Sequence, residues 1–137
     1  MATDATDAIR SGVAAWSRGD LAGTLENFSP DVEFVTSGVY PGLEPVYRGH
    51  EGFTRFWHDF RETWEDIAIE VERIVEGGAD RFAVVARFRA TGRDGIPLER
   101  PVGMAFTFEE GVIVHIRNFG SGEDALSAIG VQPGDEN

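Results

Sequence analysis

Arg100-Pro101-Val102-Gly103-Met104-Ala105-Phe106-Thr107-Phe108-Glu109-Glu110-Gly111-Val112-Ile113-Val114-His115-Ile116-Arg117-Asn118-Phe119 reads as two long strands joined by one tight turn. On the outgoing strand Val102, Met104, Phe106 and Phe108 alternate with the smaller Gly103, Ala105 and Thr107, the period-two pattern of a strand with one covered face. Glu110-Gly111 supplies a residue able to take positive φ at the turn. The return strand sets Val112, Val114, Ile116 and Asn118 on one side and Ile113, His115, Arg117 and Phe119 on the other. An amide therefore ends an otherwise apolar row. If that row lines an interior, Asn118 faces inward with Met104, Phe106 and Ile116 as the main polar handle.

Working outward, Ile9, Val13 and Trp16 recur at helical spacing up to Arg18-Gly19, giving a helix near 5–18. Asp20 is a good N-cap for a second helix near 20–28 carrying Leu21, Leu25 and Phe28, ended by Ser29-Pro30. Asp31 to Ser37 alternates as a strand, Gly38 to Pro45 is a loop, and Val46-Tyr47 is a short extended piece. Over 50–64 the residues Phe53, Phe56, Trp57, Phe60 and Trp64 make one helical stripe of large aromatics that must cover something apolar. Strands follow near 65–76 and 80–91, the first with a slip of parity at Glu72-Arg73 that predicts a bulge. The hairpin strands run near 98–109 and 111–119, and Ala125, Leu126 and Ile129 mark a closing helix near 122–129. Residues 1–5 and 132–137 read as flexible tails of a single domain spanning 1–137. Helices first and antiparallel strands after is an α+β pattern, with a ligand space expected where the bent sheet faces the aromatic helix.

Composition bounds the function. The chain has 137 residues, 42% of them hydrophobic, enough for one real core. No apolar run approaches the roughly 20 residues of a membrane helix, so a soluble, cytoplasmic protein is expected. Zero cysteines exclude thiol catalysis and thiolate metal sites. The net charge of −12 argues against nucleic acid and anionic membranes as partners. His50, His58 and His115 are too scattered for a metal site, and no cofactor is implied. His115 reads as an outer-face residue, His58 as solvent-facing, His50 as a helix-start residue. Arg87, Arg89 and Arg117 read as a charged outer sheet face rather than an anion cradle.

Arg18-Gly19-Asp20-Leu21, Tyr47-Arg48-Gly49-His50-Glu51-Gly52-Phe53, Glu109-Glu110-Gly111-Val112-Ile113 and Glu123-Asp124-Ala125-Leu126, in this order, resemble the SnoaL-like branch of the nuclear transport factor two-like superfamily over nearly the whole chain. The resemblance implies a conical, cystatin-like roll: three or four helices on a strongly bent, six-stranded, mixed and mostly antiparallel sheet, often dimerising through its outer face. It does not imply one activity, since that superfamily hosts isomerases, cyclases, hydrolases, dehydratases and binding proteins. Positions that carry acid or base groups in its ketosteroid isomerases, cyclases and epoxide hydrolases fall here on Gly12, Thr36, Met104 and Asn118, none able to exchange a proton at neutral pH.

The expected site is a pocket made by Trp16, Tyr40, Tyr47, Trp57, Phe60, Met104, Phe106, Ile116 and Asn118, with Trp57 and Phe60 at its mouth and the two tyrosines at its rim. Its expected occupant is a small, largely apolar molecule, cyclic or polyketide- or steroid-like. An isomerase, cyclase or hydrolase acting on such a molecule, or an accessory dimer without ligand, are the alternatives. An ionisable group projecting into the cavity would favour the enzyme, with Asp31 and Glu33 as first-strand sources. A homodimer is expected from Val85, Ala105, Ile113 and Phe119 on the outer face.

Overall fold

In a computed structural model of the protein, which describes residues 2–36, 39, 42–78 and 80–131, four helices pack on a six-stranded sheet. The order along the chain is α1 (Ala2–Ser17), α2 (Leu21–Leu25), β1 (Phe28–Val35), β2 (Val46–Arg48), α3 (Gly49–Thr63), β3 (Trp64–Gly78), β4 (Arg81–Gly92), β5 (Pro97–Glu109), β6 (Val112–Phe119) and α4 (Gly122–Ala128). The strands lie in the order β2-β1-β6-β5-β4-β3, antiparallel except where β1 runs parallel to β6. None of the described helices is long and apolar enough to cross a membrane.

The hairpin forms as its alternation requires. Glu110 (φ 51°) and Gly111 (φ 82°) both take positive φ between Glu109 and Val112, the two-residue turn whose twist matches that of the flanking strands. Val102, Met104, Phe106 and Phe108 are buried on the inner face. One residue beyond the turn the parity changes, because the β5–β6 register shifts between Phe108↔Ile113 and Thr107↔His115. The extra residue, Val114, is a β-bulge. It turns Ile113 into the core, 2% exposed, against its expected place on the outer face, and leaves Val112 exposed. Past the bulge Ile116 and Asn118 point inward.

Other boundaries moved for identifiable reasons. α1 starts at Ala2, so residues 2–5 are helical rather than a frayed tail. α2 is a single turn over Leu21–Leu25, capped by Asp20, whose carboxylate accepts from the Gly23 N–H at 2.8 Å. It stops early because the chain is captured by the sheet: the Asn27 carbonyl accepts from the Ile113 N–H at 2.8 Å, and the Phe28 ring meets Phe53 edge-on at 5.0 Å. Pro30 thus sits inside β1 instead of ending a helix. It is tolerated where the β1–β6 register shifts between Phe28 and Glu33, so its missing N–H leaves no ladder bond unmade. The expected bulge in β3 falls where the parity slips, between Val71 and Arg73.

The outer face divides in two. Under α4, Ala83, Ala125, Leu126 and Ile129 form a small second core that also takes in Val85, Ala105 and Phe119. Three of the four apolar residues that suggested a partner subunit are therefore covered by the chain's own last helix, and the fourth, Ile113, lies inside. Elsewhere the face is ionic: Arg89 meets Glu99 and Glu70, Arg87 approaches Glu99 at 3.9 Å, and Glu33 holds Arg48 at 3.1 Å and His115 at 3.4 Å.

Candidate functional site

Between α1, α3 and the inner face of the sheet lies a cavity of about 60 Å³. Its walls are mostly aromatic. Trp16 of α1 stacks on Phe56 of α3 at 5.4 Å and 14°, Phe34 of β1 meets Phe56 at 4.4 Å, and Phe60 meets Phe88 of β4 edge-on at 5.6 Å. Such pairs fix ring orientation beyond what burial alone would do. Because the rings are held by one another, space they do not fill stays open instead of collapsing.

Of the expected pocket residues, Trp16, Phe60, Met104, Phe106, Ile116 and Asn118 line this cavity. Trp57 and Tyr47 do not. Trp57 is buried beside it, its ring edge-on to Trp16 at 5.2 Å and covered by the Arg61 guanidinium at 3.9 Å. Arg61 also donates to the Trp16 carbonyl at 2.8 Å, and burial holds its guanidinium below the usual arginine range. Tyr47 is 1% exposed and its hydroxyl is committed: it accepts from the Glu44 N–H at 3.1 Å and donates to Asp59 Oδ2 at 3.0 Å. Burial is the first cause raising its phenol above the usual range. Its role is to fasten the chain before β2 to α3. Tyr40 lies outside the described residues. The wall residues not expected in the pocket include Phe53 and Phe56 of the aromatic stripe, Phe34 and Phe88 of the strands, and Phe28, expected on the second helix, joined by Ile9 and Ile113. Ile113 was hidden by the bulge.

Nearly all of the lining is buried. The lining residues that keep partial exposure are Ala8, Gly12 and Val13 on α1 and Ile69 on β3, so the cover over the cavity is thinnest along the α1–β3 seam rather than at Trp57 and Phe60. The Ser17 hydroxyl accepts from the Ile69 N–H at 3.1 Å and ties the seam at one end.

Chemically the cavity is quiet. Among the described lining residues none is ionisable, and the polar groups are the side chains of Thr24 and Asn118 and the indole N–H of Trp16, which is buried without a hydrogen-bond partner. The Thr24 hydroxyl donates to the Asp20 carbonyl at 2.8 Å, and Asn118 Nδ2 donates to the Val35 carbonyl at 2.9 Å. Of the four positions where the resemblance would place acids or bases, Gly12, Met104 and Asn118 do face the cavity, and Thr36 instead donates to the Glu44 carbonyl at 2.7 Å. The other titratable candidates stand elsewhere: His50 Nε2 lies 3.1 Å from the Phe28 carbonyl, His58 and Asp31 are exposed, and Glu33 with His115 belongs to the outer face.

The SnoaL-like domain family matches residues 9–116, and the chain belongs to that family. Among solved structures, a nuclear transport factor two-like protein of unknown function from Burkholderia pseudomallei is similar at 22% identity, covering 93% of this chain and 98% of its own, with a TM-score of 0.79. TerC, co-crystallised with polyporic acid, is similar at 22% identity over 92% of this chain and 98% of its own, TM-score 0.78. A polyketide cyclase-like protein from Xanthomonas campestris pv. campestris, assigned that activity only provisionally, is similar at 16% identity over 93% and 97%, TM-score 0.72. At these identities the likeness carries the conical fold and not a reaction. Among curated proteins no sequence matches.

Proposed function

We propose that the protein binds a small, uncharged, largely apolar molecule non-covalently in this cavity. The observation that carries the reading is the wall itself, aromatic and aliphatic with no ionisable side chain among its described residues. Proton transfer needs a group that changes charge within reach of the substrate, and a charged ligand would lose its hydration without gaining a counter-ion. The size favours a small ligand: about 60 Å³ is below the roughly 150 Å³ of an engineered apolar cavity that takes up benzene, so even a one- or two-ring compound enters only as the walls yield. A polyketide- or steroid-sized ligand requires the α1–β3 seam to part. TerC's polyporic acid makes a ring-bearing ligand a reasonable class to screen here.

The test is a thermal-shift screen of small neutral aromatic compounds, toluene and indole, beside benzoate, an ionised compound of toluene's shape. A ligand that binds only the folded chain raises the melting temperature with concentration. Indole or toluene raising it, with benzoate inert, is the expected result. Benzoate acting as strongly as toluene would overturn the reading. A homodimer is part of the proposal on narrower ground than its apolar residues first offered, through the ion-paired part of the outer face beside α4. Sedimentation at low and high salt checks it, and a monomer at micromolar concentration in low salt removes it.

A further inference from the structure

Each described glycine within a helix has a visible reason to lack a side chain, except one. At Gly23 a Cβ would stand 2.6 Å from the Asp20 carboxylate, at Gly52 it would press on the Tyr47 backbone at 3.1 Å, and at Gly122 it would meet Val85 at 2.7 Å. Gly49 takes positive φ, 71°. Gly12, in the middle of α1, has neither reason: its φ is ordinary, and a Cβ there would have no atom within 4 Å. A glycine inside a helix costs stability relative to alanine, through the backbone freedom it must give up. Here nothing in the packing demands it.

What Gly12 does have is the cavity. It lines that space, and it is among the few lining residues, with Ala8, Val13 and Ile69, that keep contact with solvent at the α1–β3 seam. We propose that Gly12 is the residue that sets ligand size and access in this site: its missing side chain leaves a slot at the threshold through which the edge of a flat, uncharged ring passes and against which it rests. The proposal rests on the cavity being a binding site. It assigns the specificity to a position that sequence reading takes only for a lost catalytic group. The slot is bounded by helix backbone whose N–H and C=O groups are already used within α1, so what it selects is shape.

The experiment compares the parent chain with Gly12→Ala, Gly12→Leu and, as a control on the solvent side of the same helix, Ala14→Leu. Two quantities are read: the melting temperature without ligand, and occupation of the cavity by xenon and by indole, followed by NMR. Gly12→Ala is expected to melt about 3 °C higher than the parent while binding indole about tenfold more weakly, because the added methyl takes ring space. Gly12→Leu is expected to exclude indole and slow or abolish xenon entry, and Ala14→Leu to bind both as the parent does. A parent that takes up xenon and indole together with a Gly12→Leu variant that does so equally well overturns the role of Gly12 and leaves the cavity reading standing. A parent that takes up neither overturns both.

Discussion

On β4 and β5 the side chains of Val84, Phe88, Met104 and Phe106 go beneath the helices, while Ala83, Val85, Arg87, Arg89, Glu99 and Ala105 on the same strands go to the opposite face. The two faces use the same residue type to opposite ends. Outside, Gly103 and Gly122 let α4 and the sheet touch: a Cβ on Gly103 would collide with the Ser121 carbonyl oxygen. Inside, Gly12 approaches nothing and leaves room. The inner face is filled by large rings that lock one another and leave a gap, whereas under α4 the small Ala83, Ala105 and Ala125 let Leu126 and Ile129 pack against the sheet. A void survives in this fold where the packing units are large and stiff, and that is the face on which a ligand can be held.

The largest effect expected from this contrast is at Phe88. It is fully buried, meets Phe60 at 5.6 Å and Trp64 at 6.1 Å, and lines the cavity. Phe88→Ala enlarges a void that its neighbours cannot fill and should cost about 3–5 kcal/mol in denaturant unfolding. A loss under 1 kcal/mol would mean that the inner face is soft and collapses, against the account of the cavity given above. Next comes Gly103→Ala. The added methyl meets backbone, which cannot swing aside as a side chain would, so a cost of about 1–3 kcal/mol is expected, with loss of hydrogen-exchange protection concentrated in α4. Uniform loss across the sheet would show that α4 is not separately docked.

How much of this was legible follows from the range of each signal. The β5–β6 hairpin and the α3 stripe are local patterns repeated over many residues, and both appear where the alternation and the helical spacing put them. A bulge is a single inserted residue with no pattern of its own beside a turn. Ile113 was therefore assigned to the wrong face, although the slip at Glu72-Arg73, in the middle of a long alternation, was readable. The inward direction of Asn118 followed from parity. Its partner did not, because Val35 is 83 residues away along the chain. The same holds for Tyr47, whose place beside a loop suggested a rim hydroxyl while its bond to Asp59 depends on how α3 docks. Gly12 was visible only as a missing catalytic residue, since emptiness leaves no mark in composition.

Asn118 and Tyr47 come next in size. Were Asn118 only a polar handle for a ligand, Asn118→Ala would leave stability unchanged. With Nδ2 bonded to the Val35 carbonyl across the parallel β1–β6 pair, it should cost about 1–2 kcal/mol. Unchanged stability would show that the amide serves the cavity and not the sheet. Tyr47→Phe removes the phenol from Asp59 and the Glu44 N–H and should cost about 1 kcal/mol. Because the folded-state pKa of Tyr47 is raised, chiefly by burial, the unfolded chain releases its proton first as pH rises. The stabilisation is thus complete below the ordinary tyrosine pKa of about 10 and is lost as pH climbs from there through the folded value. The parent's stability should fall in that alkaline window, and that part of the fall should be missing in Tyr47→Phe.

The smallest effect belongs to the ionic half of the outer face, and its smallness is what the comparison requires. Glu99 bonds Arg89 and lies near Arg87, and all three side chains are at least a third exposed. Water already solvates these charges, so their attraction is screened, and holding long side chains in one geometry offsets much of what remains. Glu99→Gln should therefore shift the unfolding midpoint by no more than the scatter between replicate curves in moderate salt, with any residual effect gone at high salt. The same substitution should alter the salt dependence of self-association if a second copy pairs through this face, since a charge that is exposed in the single chain becomes partly desolvated when two faces meet. A substantial loss of stability in the monomer would mean that the outer charges hold the sheet together as the inner rings do, and the division of labour between the two faces would then be wrong.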